Sequence, residues 1–323
     1  SRLPLLECLR YPDRRVQYRA ALVLANALPK QSFPGDDAVV PLLGSAVRDS
    51  GAMFGIVVAS NDEDRRTYGN DLQAMNFQVL DGGDSYDDVR TQLGRAVGLD
   101  LVVVRGDSAL IRETVKGLRN DNLTAAVPVI ACSNSADELD LGNDFSRDRA
   151  TMIWTAGGDQ QQFMNAANAL LKRTGGASMD PLESLDFTML ALDALGALAV
   201  NETTVLEASM ARPQLLEALV STNENLVFLR QEVAGILSMI PGSEAQQALI
   251  DSALAASDEL DQIDMLDLVA ASARRFGNQA AGRQVSALQD MIRSSQGDVA
   301  DAAGRAFGAL NVGPRQAVEL ILK

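Results

Sequence analysis

The chain has 323 residues, too many for one ordinary hydrophobic core, and 47% are apolar, so two or three packed domains are expected rather than disorder. Its 43 acidic and 28 basic residues give a formal charge of −15, a surface that repels nucleic acid and anionic lipid, both of which are held by clustered Lys and Arg. There is no histidine and there are two cysteines, which excludes Ser-His-Asp triads, Cys-His dyads, HExxH metal sites and four-cysteine zinc sites, and no apolar run approaches the roughly 20 residues that span a bilayer.

Residues 1–50 read as a helical-repeat segment. The chain opens at Ser1, already inside a helix-like pattern (Leu3, Leu5, Leu6, Leu9), as a fragment of a longer protein would. Asp13 is placed to cap a helix on which Val16, Ala20, Val23 and Ala27 recur at spacings of four, three and four. Pro34-Gly35 and Asp36-Asp37 interrupt that pattern, and Val39 to Val47 reads as a second helix.

Near Met53 the texture changes. Short apolar runs, 54–58, 78–80, 101–104, 127–131 and 151–154, alternate with helically spaced stretches as far as Arg173. Fully apolar strands separated by helices imply a parallel sheet covered on both faces, so residues 53–173 are predicted to be a doubly wound α/β domain. Cys8 and Cys132 fall in different domains and read as small buried hydrophobes. Thr174 to Pro181 (TGGASMDP) is a linker.

Residues 180–323 carry helical spacing only. Phe187 to Leu226 is 39 residues, Leu226 to Ile263 is 37, and Ile263 to Val299 is 36. A near-fixed period with two helices per unit marks a stacked α-solenoid, an irregular helical bundle being the alternative.

The segments DRRVQYRAALVLANAL (13–28), LDFTMLALDALGALAV (185–200), NLVFLRQEVAGILSMI (225–240), DQIDMLDLVAASARRF (261–276) and DVADAAGRAFGAL (298–310) resemble HEAT or armadillo-type repeats. Residues 53–173 resemble a response-regulator receiver domain, of the flavodoxin-like class. IVVASNDEDRR looks like its first strand and turn, DLVVVRGD its third strand, VPVIACS its fourth, and MIWTAGGDQQQF its fifth strand entering the last helix. The resemblance implies strand order 2-1-3-4-5.

That family's chemistry needs an acidic pair for Mg²⁺, a phosphate-accepting Asp, a sensing hydroxyl and a Lys. By position these fall on Ala59 and Ser60, on Arg105, on Ser133, and on Thr155 or Ala156. Three of the four are lost, so the resemblance implies the fold without the activity: a pseudo-receiver. Arg105 cannot attack a phosphoryl group, because a guanidinium stays protonated. It either stands in for the metal, paired to Asp62, Glu63 or Asp107, or is a solvated strand-end residue. Asp62, Glu63 and Asp64 read as the acidic first turn of a helix rather than a shifted metal cluster. Asp159, with Gln162 three residues on, is placed as a capping box, and Gly157-Gly158 before it as a flexible turn or an anion nest. Trp154, in a strand run, is expected in the core. The acidic string Asp258, Glu259, Asp261, Asp264 and Asp267 lacks the glycine and spacing of an EF-hand and reads as a solvated helix face.

No Walker loop, G-x-S-x-G or G-x-G-x-x-G accompanies these elements, and no cofactor or metal is expected. Three functions stay open: a non-catalytic scaffold that binds protein partners, a regulatory domain sensing a small-molecule ligand at the strand ends, and an enzyme working with carboxylates alone. The first fits best, since solenoids offer long surfaces with little catalytic equipment.

Overall fold

The structure, a computed structural model, describes residues 4–11, 13–48, 53–93, 99–121, 124–155, 157, 159–174, 179–201, 203–221 and 224–312. The chain divides into two compact units, Ser1–Val23 with Asp49–Phe187, and Leu24–Arg48 with Thr188–Lys323. The first helices are α1 (Pro4–Cys8) and α2 (Arg14–Asn26), and Asp13 caps α2 by accepting from the Arg15 amide at 2.8 Å. Within the first unit, the start of α2 is held by an Arg14–Asp100 ion pair at 3.0 Å, both side chains almost wholly buried. Arg15 pairs with Glu183 at 2.9 Å, and Tyr18 meets Phe187 edge to face at 5.5 Å. Both cysteines fall in this first unit; Cys132 is buried, but Cys8 is only half-buried, because the five-residue α1 has no buried face. The helix α3 (Asp36–Arg48) begins three residues earlier than the sequence indicates. The Asp36 carboxylate accepts from Ser32 Oγ at 2.6 Å and from the Phe33 amide at 3.2 Å, so the acids that read as a break form the first helical turn.

The α/β part of the first unit runs β1 (Met53–Ala59), α4 (Asp62–Ala74), β2 (Phe77–Val79), α5 (Tyr86–Leu93), β3 (Leu101–Arg105), α6 (Ser108–Asn120), β4 (Val129–Ser133), α7 (Glu138–Asp144), β5 (Thr151–Thr155) and α8 (Gln160–Thr174). The five strands are parallel, in the order β2-β1-β3-β4-β5. Alternate residues feed two cores. Ile56, Val58, Val102, Val104, Val129 and Ala131 pack with Ile111, Val115 and Leu118 of α6 and Leu141 of α7. Val57, Ala59, Leu101, Val103, Ile130 and Cys132 pack with Leu72 of α4 and Phe163, Ala167 and Leu170 of α8. Such two-sided burial explains why the strands read as continuous apolar runs. The fourth strand starts two residues later than the apolar run 127–131. Pro128 has no N–H to give the ladder, and the Val127 amide is spent in a turn on Thr124 O at 3.0 Å. Trp154 is half-buried, edge-on to Phe163 with ring centroids 6.3 Å apart.

The second unit continues through α9 (Pro181–Val200), whose first residues belong to the first unit, then a 3₁₀ turn (Ala208–Ala211) and α10 (Arg212–Leu219). Next come α11 (Glu224–Phe228), α12 (Arg230–Met239), α13 (Ser243–Ala255), α14 (Glu259–Phe276), α15 (Gly282–Ser294) and α16 (Asp298–Ala309). The helix expected over 225–240 is thus broken at Leu229. Here α3 packs on α10 and the 3₁₀ turn. Gly44 permits the close approach, since a Cβ there would sit 3.2 Å from the Gln214 side chain. Thr188 Oγ1 donates to Ala46 O at 3.1 Å, and Pro29 O accepts from Thr204 Oγ1 at 3.0 Å and the Val205 amide at 2.9 Å.

From α12 onward each helix packs on the helix two places away in sequence, α12 on α14, α13 on α15 and α14 on α16, and α12 and α14 also meet α13 while α15 meets α16. Alternate helices therefore form two layers. Polar contacts recur between places about one sequence period apart. Gln231 bonds Asp264 and Gln284 bonds Asp251, each 33 residues apart, and Arg305 bonds Asp267, 38 apart. Among the described residues no helix is long and apolar enough to cross a membrane.

Candidate functional site

Parallel strands place the carboxyl ends of β1, β3, β4 and β5 side by side. The register pairs Ala59 with Arg105, Arg105 with Cys132, and Ser133 with Thr155. Four of the residues singled out in the sequence, Ala59, Arg105, Ser133 and Thr155, thus meet along one sheet edge. Ser60 follows in an exposed bend, and Asp62 opens α4. Ala156 and Gly158 lie outside the described residues, so neither the second Lys position nor the glycine nest is placed. Gly157 has φ +125°, a conformation that favours glycine.

The sheet edge is organised by two arginines. Arg65 donates to Ala59 O, to Asp62 and to Asp84. The bond to Asp62, followed by that to Asp84, raises its pKa further above the ordinary range. Asp62 is therefore engaged one helical turn away, at i+3, and is not the partner of Arg105. Asp107 is not that partner either, for it caps α6 by accepting from the Leu110 amide at 2.9 Å. Arg105 instead pairs through Nε with Asp64 at 3.6 Å, and gives Nη1 and Nη2 to Asn134 Oδ1 at 3.2 Å and Nη1 to Cys132 O at 3.3 Å. Asp64 is steered there by Asn61, the N-cap of α4. Asn61 accepts from the Asp64 amide at 2.8 Å and donates to its carboxylate at 2.7 Å. The acids 62–64 do form the first turn of a helix.

Strand alternation separates the remaining groups. Arg105 continues the face of Val103 and Cys132, whereas Ser133 continues that of Val129 and Ala131. The Ser133 hydroxyl is fully buried and has no hydrogen-bond partner among the described residues. Beside Arg105, the Tyr68 hydroxyl lies near the Cys132 sulfur. Burial pushes the Cys132 thiol up to about 12, against the lowering effect of Tyr68 and Arg105, and burial likewise raises Tyr68. Cys132 is thus a protonated, inert thiol at neutral pH. Outside this row a shallow polar depression of about 310 Å³ is lined by Asp62, Arg65, Arg66, Asp81 and Gly82, among others.

Nothing in the spacing of the apolar runs pointed to Asn134 or Asp84 as partners of the two arginines. Each follows a strand end, Asp84 closing Gly82-Gly83, so a search for polar residues just past every apolar run would have found both. Chemically the row holds shape: the permanently charged Arg105 guanidinium is held between Asp64, Asn134 and Cys132 O. Asp159 does cap α8, accepting from the Gln162 amide at 2.8 Å.

No protein-family model matches the chain, and no curated protein is similar to it. Among solved structures, it is similar to the crystal structure of an engineered protein at 16% identity, over 99% of this chain and 80% of that one, with a TM-score of 0.28, a likeness too slight to carry a fold assignment.

Proposed function

We propose that this chain is a non-catalytic scaffold, in which HEAT-like helical repeats and a receiver-like domain unable to take phosphate present surfaces to protein partners. The observation that carries the reading is the state of the sheet edge. Arg105, at the end of β3, is bonded to Asn134 and Cys132 O and paired with Asp64, while Asp62 and Asp84 are engaged by Arg65. Ala59 and Ser60 offer no metal-binding carboxylate, and Thr155 offers no ammonium. The two helical layers and their polar contacts 33 to 38 residues apart support the repeat reading.

Incubating the protein with a small phosphodonor and Mg²⁺ is expected to leave its intact mass unchanged, for wild type and for Arg105→Asp alike. A stoichiometric acyl phosphate on either would overturn the pseudo-receiver reading. The ligand-sensing alternative draws on the unpartnered Ser133 hydroxyl and the depression beside Arg65. A small metabolite that protects the strand-end amides from hydrogen exchange would favour it.

A further inference from the structure

The second unit exposes large apolar side chains in one place where its helices begin. Phe228, the last residue of α11, is 83% exposed, and Leu260, in the first turn of α14, is 72% exposed. The 2.9 Å bond from Gln231 to Asp264 fixes their relation. Phe228 lies three residues before Gln231, across the break at Leu229, and Leu260 lies one turn before Asp264, so both stand near the bonded pair. The two helices run in the same direction. Their starts meet at Gln231 and Asp264, and Met239 and Ile240 at the end of α12 share a cavity with Arg275 and Phe276 at the end of α14. Helices α12 and α14 pack on each other, with axes about 8–10 Å apart, so Phe228, just before α12, and Leu260, at the start of α14, flank the same end of that pair.

The surroundings are acidic. Asp258, Glu259, Asp261 and Asp264 surround Leu260, and Glu232 follows Phe228. Arg230 is the opposing charge on α12. Asp258 caps α14, accepting from the Leu260 and Asp261 amides at 3.0 Å. Helix caps account for acids at a helix start. They do not account for a phenylalanine and a leucine left in water between them, because each forgoes the free energy of burial.

We propose that this edge of α11, α12 and α14 docks a basic amphipathic segment of a partner protein, its apolar side chains on Phe228 and Leu260 and its Lys or Arg side chains on the surrounding carboxylates. The proposal rests on the scaffold reading and names the partner's chemistry. A second copy of this chain is the poorer occupant, since it would bring the same carboxylates against themselves, and an anionic lipid surface is repelled for the same reason. Two apolar anchors flanking the same helix end suit apolar side chains along one face of a bound helix.

The probe is a fluorescein-labelled peptide about 18 residues long, of Leu and Lys, with Leu at helical i, i+3, i+4, i+7 spacing. Controls are a scrambled peptide of the same composition and one with Glu for Lys. By fluorescence anisotropy with the full chain, the amphipathic basic peptide is expected to bind at least about tenfold tighter than either control. Phe228→Ser with Leu260→Ser should weaken it at least about tenfold. Both changes are at exposed positions, so the circular dichroism spectrum and melting temperature should stay unchanged. The milder Leu260→Gln alone should weaken binding by a smaller factor. Equal binding of wild type and the double variant, equal binding of the scrambled peptide, or a concentration-dependent dimer abolished by Phe228→Ser would each overturn the proposal. Cross-linking of the full protein in its source cell separates this from the wider reading: a partner mapped to another face refutes the edge and leaves the scaffold standing, whereas no protein cross-linked anywhere refutes both.

Discussion

At the scale of single residues, the first unit depends on carboxylates whose geometry is closed by several donors. Asp148, in the loop before β5, is the fullest case. It accepts from Arg119 Nε at 2.8 Å, from Thr151 Oγ1 at 2.7 Å and from the Ala150 amide at 2.9 Å, while Arg119 reaches on to Val127 O at 2.9 Å. Burial pushes the Asp148 carboxyl up, but the bonds from Thr151 and Arg119 outweigh it and leave the pKa below its ordinary value. A carboxylate with a depressed folded pKa stabilises the fold fully above its unfolded value, near 4, and that contribution is lost as pH falls through the lower folded value. Asp148→Asn should therefore cost about 1–3 kcal/mol at neutral pH, and less at each step below about pH 4. Urea titrations of both proteins across that range check the convergence. The same scale shows where sequence reading stopped short. That Arg105 ends a strand was legible from its place after an apolar run. Its partner was not, because Asp64 reaches it only through the Asn61 cap, and a cap's side-chain geometry is not written in spacing.

At the scale of elements, the helical unit is joined by buried amides as well as by apolar packing. Gln246 on α13 is fully buried. Its oxygen accepts from the Gln279 amide at 2.7 Å, and its nitrogen donates to Gly277 O at 3.0 Å and Ser272 Oγ at 3.3 Å, so it holds the turn between α14 and α15. Gln247 adds one bond, to Gln279 O at 3.0 Å. Gln284 on α15 works backwards, donating to Gln247 O at 2.9 Å and Asp251 at 2.6 Å. Gln246→Ala removes three hydrogen bonds made by a buried amide and should destabilise by about 2–3 kcal/mol, against about 1 or less for the half-buried Gln247→Ala. Urea denaturation gives the two values, and hydrogen exchange at the Gln279 amide should accelerate in the first variant alone. Apolar periodicity located α9, α14 and α16, since burial sets that period, but not α10, α13 or α15. It could not locate these glutamines, because a buried amide and a surface amide are the same letter, and only the neighbouring turn decides which it is. The displaced start of β4 has a similar cause: the apolar run was read without the missing N–H of Pro128.

At the scale of the whole molecule, the chain contributes to its second unit twice, through Leu24–Arg48 and again from Thr188, with the sheet built from the sequence between. The first contribution is integral to that unit's core. Val39, Val40, Leu43, Ala46 and Val47 of α3 have no exposed surface, and Arg48 pairs with Glu217 of α10 at 2.5 Å. Without α3, the faces of α10 and the 3₁₀ turn that pack on it would be left in water. Burying a Val or Leu side chain stabilises by roughly 1.5–3 kcal/mol each, so losing this helix removes several kcal/mol, comparable with the whole stability of a small domain. Residues 180–323 made alone are therefore expected to melt at a markedly lower temperature, or to aggregate. Residues 13–48 joined to 180–323 by a flexible Gly-Ser linker should recover a single cooperative transition, because the linker replaces only the chain that builds the sheet. Differential scanning calorimetry of the two proteins decides the matter. Equal melting temperatures would mean that the later helices close their core without α3, and that the early segment is an appendage rather than the first member of the stack.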